Sequence, residues 1–235
     1  MERTTEEGAV EATWPSDTRQ SSNVGPIVKN CGPQNYGAML AAMRAFTSSR
    51  DESTRDEIWV TEHPATYTLG QAGRIEHLRH AVDVPVVHVE RGGQITFHGP
   101  GQLVVYPLID IRRRAIKVRA LVALIERSVM RALATYNLSP SLKPGAPGVY
   151  VHYGDHLAKI AALGLKIVNG RSFHGLSLNV AMDLTPFDAI DVCGYADLKS
   201  VDLRTLGVMT TVEDAGRLVS QALLDELEVA SQERA

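Results

Sequence analysis

Cysteine is nearly absent: the 235 residues include two, Cys31 and Cys193. Two thiols cannot make a disulfide framework or a cysteine-rich metal cluster. No Cys/His spacing of the zinc type occurs either, so no metal is assigned. Charge of one sign is also missing, with a formal net of −3. Such a chain carries no broad electropositive field, and nucleic-acid binding is not expected. No stretch approaches the ~20 apolar residues of a membrane span, so no membrane partner is expected. Internal repeats and interior linkers are absent. A signal peptide needs a basic start and an apolar centre, and a transit peptide is Arg-rich and acid-poor. Met1 to Ser22 fits neither, with Glu2, Glu6, Glu7, Glu11 and Asp17. Residues 1–25 read as a disordered acidic leader on a cytoplasmic protein, and 26–235 as one domain.

What is present is an ordinary globular balance, 44% apolar and 22% charged, long enough for one well-cored unit. Pro26 to Cys31 reads as a short strand. Gln34 to Ser49 reads as a helix, since Tyr36, Met39, Leu40, Met43 and Phe46 recur at spacings of three and four. Glu57–Glu62 and Thr66–Leu69 read as strands broken by His63-Pro64. A long helix runs from about Val118 to Tyr136, with Leu121, Leu124, Ile125, Val129, Ala132 and Leu133 inward. Pro140, Pro144, Gly145, Pro147 and Gly148 punctuate a loop. Val149–His152, Leu157–Leu163, Lys166–Val168 and Ser172–Met182 read as consecutive antiparallel strands. Thr211 with Asp214 is a near-capping box for the last helix. Helices alternate irregularly with runs of strands, which predicts an α+β (mixed α/β) fold around a central sheet.

The densest signal is Arg91-Gly92-Gly93-Gln94-Ile95-Thr96-Phe97-His98-Gly99-Pro100-Gly101-Gln102. Apolar runs, Val84–Val89 and Leu103–Ile109, flank it. Glycines let backbone approach a ligand closely. A bend between two buried strands is therefore the expected shape of a binding site. Cys193 sits in a loop signal before Gly194, which frees the backbone to turn and expose the sulfur. A thiolate, not a thiol, attacks carbonyls, so such a cysteine needs a partner that lowers its pKa. Lys159, in the apolar stretch Leu157–Leu163, is the candidate. The stretch alone fits an outward lysine on an edge strand better. His98 and His174 bring polar groups to an otherwise apolar cleft; taken singly, each fits a hydrogen-bonded core residue better than a catalyst. Arg112, Arg113, Arg114, Lys117 and Arg119 form a basic cluster, either a dock for an acidic partner or a solvated helix entry.

Five segments occur in a fixed order: Asp56–Pro64, Arg91–Gln102, Gly148–Ile167 with its AKIAALGLKI core, Ser172–Val180, and Cys193-Gly194-Tyr195. Together they resemble the octanoyltransferase family, the lipoyl(octanoyl) transferases of lipoate biosynthesis also called the lipoate-protein ligase B family. The resemblance covers about Pro26 to Leu203. It implies the catalytic-domain fold of biotin and lipoate protein ligases, a mixed sheet packed by helices. It implies Cys193 as nucleophile and Lys159 as the group that activates it. It places the acyl chain against Arg91, Gly92, Gly93, Gln94, Ile95, Thr96, Phe97 and His98, then Ala162, Leu163 and Gly164, then Gly175, Leu176 and Ser177. No cofactor is implied. The implied donor is octanoyl-acyl carrier protein. The implied acceptors are lipoyl domains of 2-oxoacid dehydrogenase E2 subunits and the glycine cleavage H protein. An ATP-dependent ligase of the same fold and a non-catalytic carrier-binding module are the alternatives. Two departures stand out: Val192 where the family commonly has proline, and Ala189 where it often has arginine. His152–His156 reads as an insertion that lengthens a turn.

Overall fold

The computed structural model describes residues 25–79, 83–191 and 198–232. In chain order the elements are β1 (Ile27–Pro33), α1 (Tyr36–Ser49), β2 (Glu57–Glu62), β3 (Thr66–Leu69), β4 (Val86–His88), β5 (Ile95–His98), β6 (Gln102–Leu108), α2 (Val118–Ala134), β7 (Ser141–Lys143), β8 (Ala146–Tyr153), β9 (His156–Val168), β10 (Arg171–Asn179) and α3 (Val212–Gln232). A seven-stranded sheet has the order β1-β2-β6-β10-β9-β8-β7. Only the β1–β2 pair in it is parallel. A three-stranded sheet, β4-β3-β5, is also mixed. This is the α+β architecture the sequence predicts.

Period-two alternation assigns the two faces of the large sheet. Along β6, Leu103 and Val105 join the core under α2 and α3, whereas Val104 and Tyr106 join a second core under α1. Both faces are covered, so β6 reads as one unbroken apolar run. Helix α2 buries Leu121, Leu124, Ile125, Val129, Ala132 and Leu133, the stripe its spacing predicts. In α3, Ala215, Val219, Leu223 and Leu227 recur every fourth residue and are buried. Thr211 caps it: Oγ1 accepts from the Asp214 N–H at 3.0 Å and its hydroxyl donates to the Asp214 carboxylate at 2.9 Å. Helix α1 opens on Asn35, whose side chain accepts from the Gly37 and Ala38 amides.

Several expectations are corrected. The stretch 91–102 is not one bend, because β5 lies inside it and pairs with β3. The apolar run before it yields only β4, with His88 exposed. β9 is a single strand that continues through Gly164, where two strands were expected. The proline- and glycine-rich loop contains β7. His152 and Tyr153 belong to β8, and Tyr153 pairs with His156 across a two-residue turn. Gly154 supplies the positive φ of +58° there, so a tight hairpin stands where an insertion was expected.

The basic cluster is partly structural. Asp56, 2% exposed, is gripped by Arg50, by Arg113 Nη2 at 2.7 Å and by Arg114 Nε at 2.5 Å. Arg113 also donates to the carbonyls of Glu52 and Thr54. Burial pushes the Asp56 carboxyl up, but the Asp110 amide and the guanidinium groups outweigh it and hold it below the usual range. Arg112, Lys117 and Arg119 stay exposed. Among the described residues, no helix is long and apolar enough to cross a membrane.

Candidate active site

A cleft opens on the α1 side of the large sheet and holds about 570 Å3 of unfilled space, part of it open to solvent. One wall is the glycine-rich arm: Arg91, Gly93, Gln94, Ile95, Thr96 and His98. The opposite wall is β9 and β10, through Lys159, Ala162, Leu163, Gly164, His174, Gly175, Leu176 and Ser177. Tyr36 of α1 and Val104 and Tyr106 of β6 complete it. Three segments far apart in sequence therefore meet around one space. Gly92 and Phe97 do not line it. Phe97 alternates to the other side of β5, against Tyr67, Met182 and Phe187.

Close backbone approach builds the walls. The Gly92 N–H donates to the Leu165 carbonyl at 2.9 Å, tying the arm to β9. A Cβ on Gly164 would lie 2.8 Å from the Gly92 oxygen, so only glycine permits that seam. Arg91 ties the arm from within. Its Nη1 donates to the Gly92 carbonyl at 2.9 Å and its Nη2 to the Thr68 carbonyl at 2.7 Å.

Pro107 of β6 lacks an N–H and cannot complete the ladder with β10. Opposite it, His174 takes φ of +59°, an uncommon state for a side-chain-bearing residue. A Cβ on Gly175 would lie 2.0 Å from the Val105 oxygen. The distortion puts the His174 ring beside Phe173, centroids 4.8 Å apart, instead of on the opposite face. Its Nε2 is 3.7 Å from the Glu90 carboxylate, and neither ring nitrogen has a hydrogen-bond partner among the described residues. Arg44 holds Glu90 by two bonds of 2.7 and 2.8 Å, and lowers its pKa to about 2.

The other rings are fixed. His63 Nδ1 faces the Gln34 carbonyl at 2.7 Å, so that nitrogen carries the proton. Its Nε2 then accepts from the Tyr106 hydroxyl at 2.7 Å. Tyr36 stacks on His98, centroids 5.6 Å apart. Burial, helped by the charge that His63 takes up in acid, pushes His98 down to about 3; burial likewise lowers His174 to about 4. Burial raises Tyr36 to about 12. The imidazoles and phenols of the cleft are therefore neutral near pH 7.

Lys159 is 3% exposed and lies on β9, an interior strand between β8 and β10. The edge-strand alternative is thereby removed. Its Nζ donates to the Pro147 carbonyl at 2.9 Å and lies 5.3 Å from the centre of the Tyr150 ring. Gly148, at φ of +130°, leaves room for it: a Cβ there would lie 2.6 Å from the Lys159 Cε. Residues 199–201 run beside Lys159. Its N–H donates to the Lys199 carbonyl at 2.8 Å, and the Val201 N–H donates to its carbonyl at 3.0 Å.

Cys193 and Val192 lie outside the described residues. Ala189 closes a short 3-10 turn, Thr185–Ala189, and its carbonyl accepts from the Arg79 N–H at 2.8 Å. Cys31 lies half-buried on β1, away from the cleft, and burial raises its thiol pKa, the reverse of activation. Among the described residues no group of His, Cys, Asp and Glu is arranged to hold a metal ion. Sequence reasoning missed Tyr36, Val104 and Tyr106; His174, which it offered as a polar group of the cleft or a core residue, lines the cleft. Tyr106 shares its parity with Val104 inside an apolar run, which was the one available signal. The arrangement joins an apolar lining (Ile95, Val104, Leu163, Leu176) to neutral hydrogen-bonding rings and one buried lysine. It can admit an extended apolar chain beside the Lys159 amine.

Comparison with known proteins supports that reading of the fold. Solved structures that share it include the bipartite lipoate protein ligase of Thermoplasma acidophilum, with a TM-score of 0.65 at 13% identity over 89% of this chain and 91% of that one, and a biotin protein ligase of Aquifex aeolicus in complex with biotin and ATP, 0.54 at 13% over 88% and 72%. The octanoyltransferase of Dechloromonas aromatica is 52% identical over 203 residues, which span 86% of this chain and 97% of that protein. Residues 35–223, from the α1 cap into α3, match the lipoyl protein ligase A/B catalytic domain. With most of its length inside that match, the chain belongs to the lipoyl protein ligase A/B catalytic-domain family.

Proposed function

We propose that this protein transfers an octanoyl group from an acyl carrier protein thioester to a lysine amine of a lipoyl domain, in lipoate biosynthesis. The observation that carries this is the meeting of Arg91–His98, Lys159–Gly164 and His174–Ser177 around one cleft, in a chain 52% identical to an octanoyltransferase over 203 residues. The cleft residues hold the acyl chain. Cys193 is the nucleophile and Lys159 the proton carrier. The Cys193 sulfur attacks the thioester carbonyl as Lys159 removes the thiol proton. The carbonyl carbon's bond to the carrier sulfur breaks, and Lys159 returns the proton to that sulfur. An octanoyl–Cys193 thioester remains. The acceptor amine attacks it, a C–N bond forms, the bond to Cys193 breaks, and the proton of the amine passes through Lys159 to the Cys193 sulfur.

The first exchange trades one thioester for another and is nearly isoenergetic. The second yields an amide and is downhill, so no ATP is needed. Acceptors are lipoyl domains of 2-oxoacid dehydrogenase E2 subunits and the glycine cleavage H protein. The test is mass spectrometry after incubation with octanoyl-acyl carrier protein without nucleotide. One octanoyl group should appear on Cys193, be absent from Cys193→Ala, and persist in Cys31→Ala. A requirement for ATP would turn the assignment to the ligases that share the fold. A thioester on Cys31 would remove Cys193 from its role.

A further inference from the structure

A line of buried polar side chains runs behind the glycine-rich wall, and the transfer chemistry above gives no role to its Thr68, Gln102 and Asn179. It begins at Arg91, whose Nε and Nη2 donate to Thr68 Oγ1 at 3.3 and 2.8 Å. Thr68 Oγ1 faces His98 Nε2 at 3.4 Å, and His98 Nδ1 faces Gln102 Oε1 at 2.8 Å. Gln102 Nε2 donates to Asn179 Oδ1 at 2.9 Å and to the Phe97 carbonyl at 3.2 Å. Asn179 Nδ2 donates to the Val201 carbonyl at 3.0 Å. All five side chains belong to buried residues.

Both ends of this line have fixed polarity. A guanidinium only donates and a carbonyl only accepts. Every bond between them must therefore point the same way. Thr68 accepts from Arg91 and gives its hydroxyl proton to His98 Nε2. His98 carries its proton on Nδ1 and gives it to Gln102. Turning either amide round would set two donors or two acceptors face to face. Bonds aligned in one direction polarise one another in a low-dielectric interior.

The far end of the line meets Lys159. Asn179 holds Val201 through its side chain, and its carbonyl accepts from the Leu203 N–H at 3.1 Å. On its other side, the same segment brackets the Lys159 backbone through Lys199 and Val201. We propose that Gln102 and Asn179 are positioning residues that, through this directed relay, fix the backbone of Lys159 relative to the acyl-binding arm. The proposal rests on the reading of Lys159 as proton carrier. Lysine is a point charge on a flexible stem, so its aim depends on how firmly its backbone is held. A misplacement of about 1 Å in a reacting geometry costs on the order of a hundredfold in rate.

The experiment replaces an NH2 by an oxygen at constant volume: Asn179→Asp sets an oxygen against the Val201 carbonyl, and Gln102→Glu sets one against Asn179 Oδ1 and the Phe97 carbonyl. Single-turnover octanoylation from octanoyl-coenzyme A should slow on the order of tenfold to a hundredfold in each, with the concentration for half-maximal rate changed less than about twofold. In the Lys159→Ala background the same swaps should change the residual rate less than about twofold, because residues acting through one group are not additive. Equal losses in both backgrounds would mean general damage and would overturn the relay, as would undiminished rates. If Asn179→Asp fails to fold, Gln102→Glu reads the relay from its preceding bond. A wild-type protein that never becomes acylated would instead overturn the proposed function, and the two failures are distinct.

Discussion

Between the large sheet and α2 with α3, the buried hydrophobic residues are leucine, isoleucine, valine and alanine. On the opposite face, under α1, they include Tyr36, Met39, Met43, Trp59, Tyr106 and Phe173. The first face is an aliphatic jigsaw with few polar atoms: the Ser128 hydroxyl donates to the Leu124 carbonyl at 2.7 Å, and Ser220 of α3 is also buried. The second is built of rings and thioethers around a cleft, with His63, His98 and His174 held neutral among them. One face supplies stability without specificity of chemistry. The other accepts unsatisfied nitrogens at His174 and a left-handed backbone there, a strain of order 1–3 kcal/mol. The division predicts that damage to each face will be read by a different assay.

The sharpest break should come from the cleft face. Lys159→Ala should slow octanoylation of Cys193 by about 10²–10⁴-fold, and Lys159→Arg should fail to restore it because a guanidinium stays protonated. Single-turnover rates per folded molecule measure this, and a wild-type rate in Lys159→Ala would end the proton-carrier role. On the aliphatic face, Leu223→Ala empties a fully buried site and should cost about 2–5 kcal/mol in urea unfolding. Its rate per folded molecule should not change; a large kinetic defect would show that the two faces are coupled.

Acid sharpens the contrast. Histidine ordinarily titrates near 6.5, but His98 and His174 hold out to about 3 and about 4. Folded pKa values below the unfolded one mean that the unfolded chain takes protons first. Stability is thus whole above pH 6.5 and is lost as pH falls toward 4, by about 1.4 kcal/mol per pH unit for each such histidine. Melting series between pH 6.5 and about 5 should show the loss, and His174→Gln should lessen its slope. An unchanged slope would mean that His174 is not the neutral buried group described. The smallest effect belongs to the surface. Arg112→Glu with Arg119→Glu should raise the Michaelis constant for carrier-bound donor a few-fold and flatten its salt dependence. Octanoyl-coenzyme A should be used as before. Equal losses for both donors would make these arginines structural, as Arg113 and Arg114 are around Asp56.

The aliphatic face was the legible one. Its helices show three- and four-residue spacing, and α2 and α3 follow it. β2 and β3 keep the bounds their sequence predicts. The cleft face was harder because glycine carries two meanings. Gly92 and Gly93 do mark a loop. Gly164 does not end a strand: it lets β9 pass against the Gly92 oxygen. Ile95–His98, four residues between glycine pairs, hid a strand whose pairing partner, β3, lies more than twenty residues earlier. Tyr36 gave no sign of its place, since an aromatic on a helical stripe looks the same whether it meets a core or a cavity. The inward turn of His174 comes from Pro107, distant in sequence, and no local pattern encodes it.

Gly148 has no side chain to donate, accept or attack, and yet it guards the berth of the Lys159 stem. In a survey of random variants it would score with the chemical residues, because even one added methyl group would push the amine aside. Tolerance at that position measures clearance rather than reactivity. A methyl group there would also meet the Ala161 carbonyl oxygen at 2.5 Å, on a backbone at φ of +130°, so a loss at residue 148 would register in stability as well as in rate.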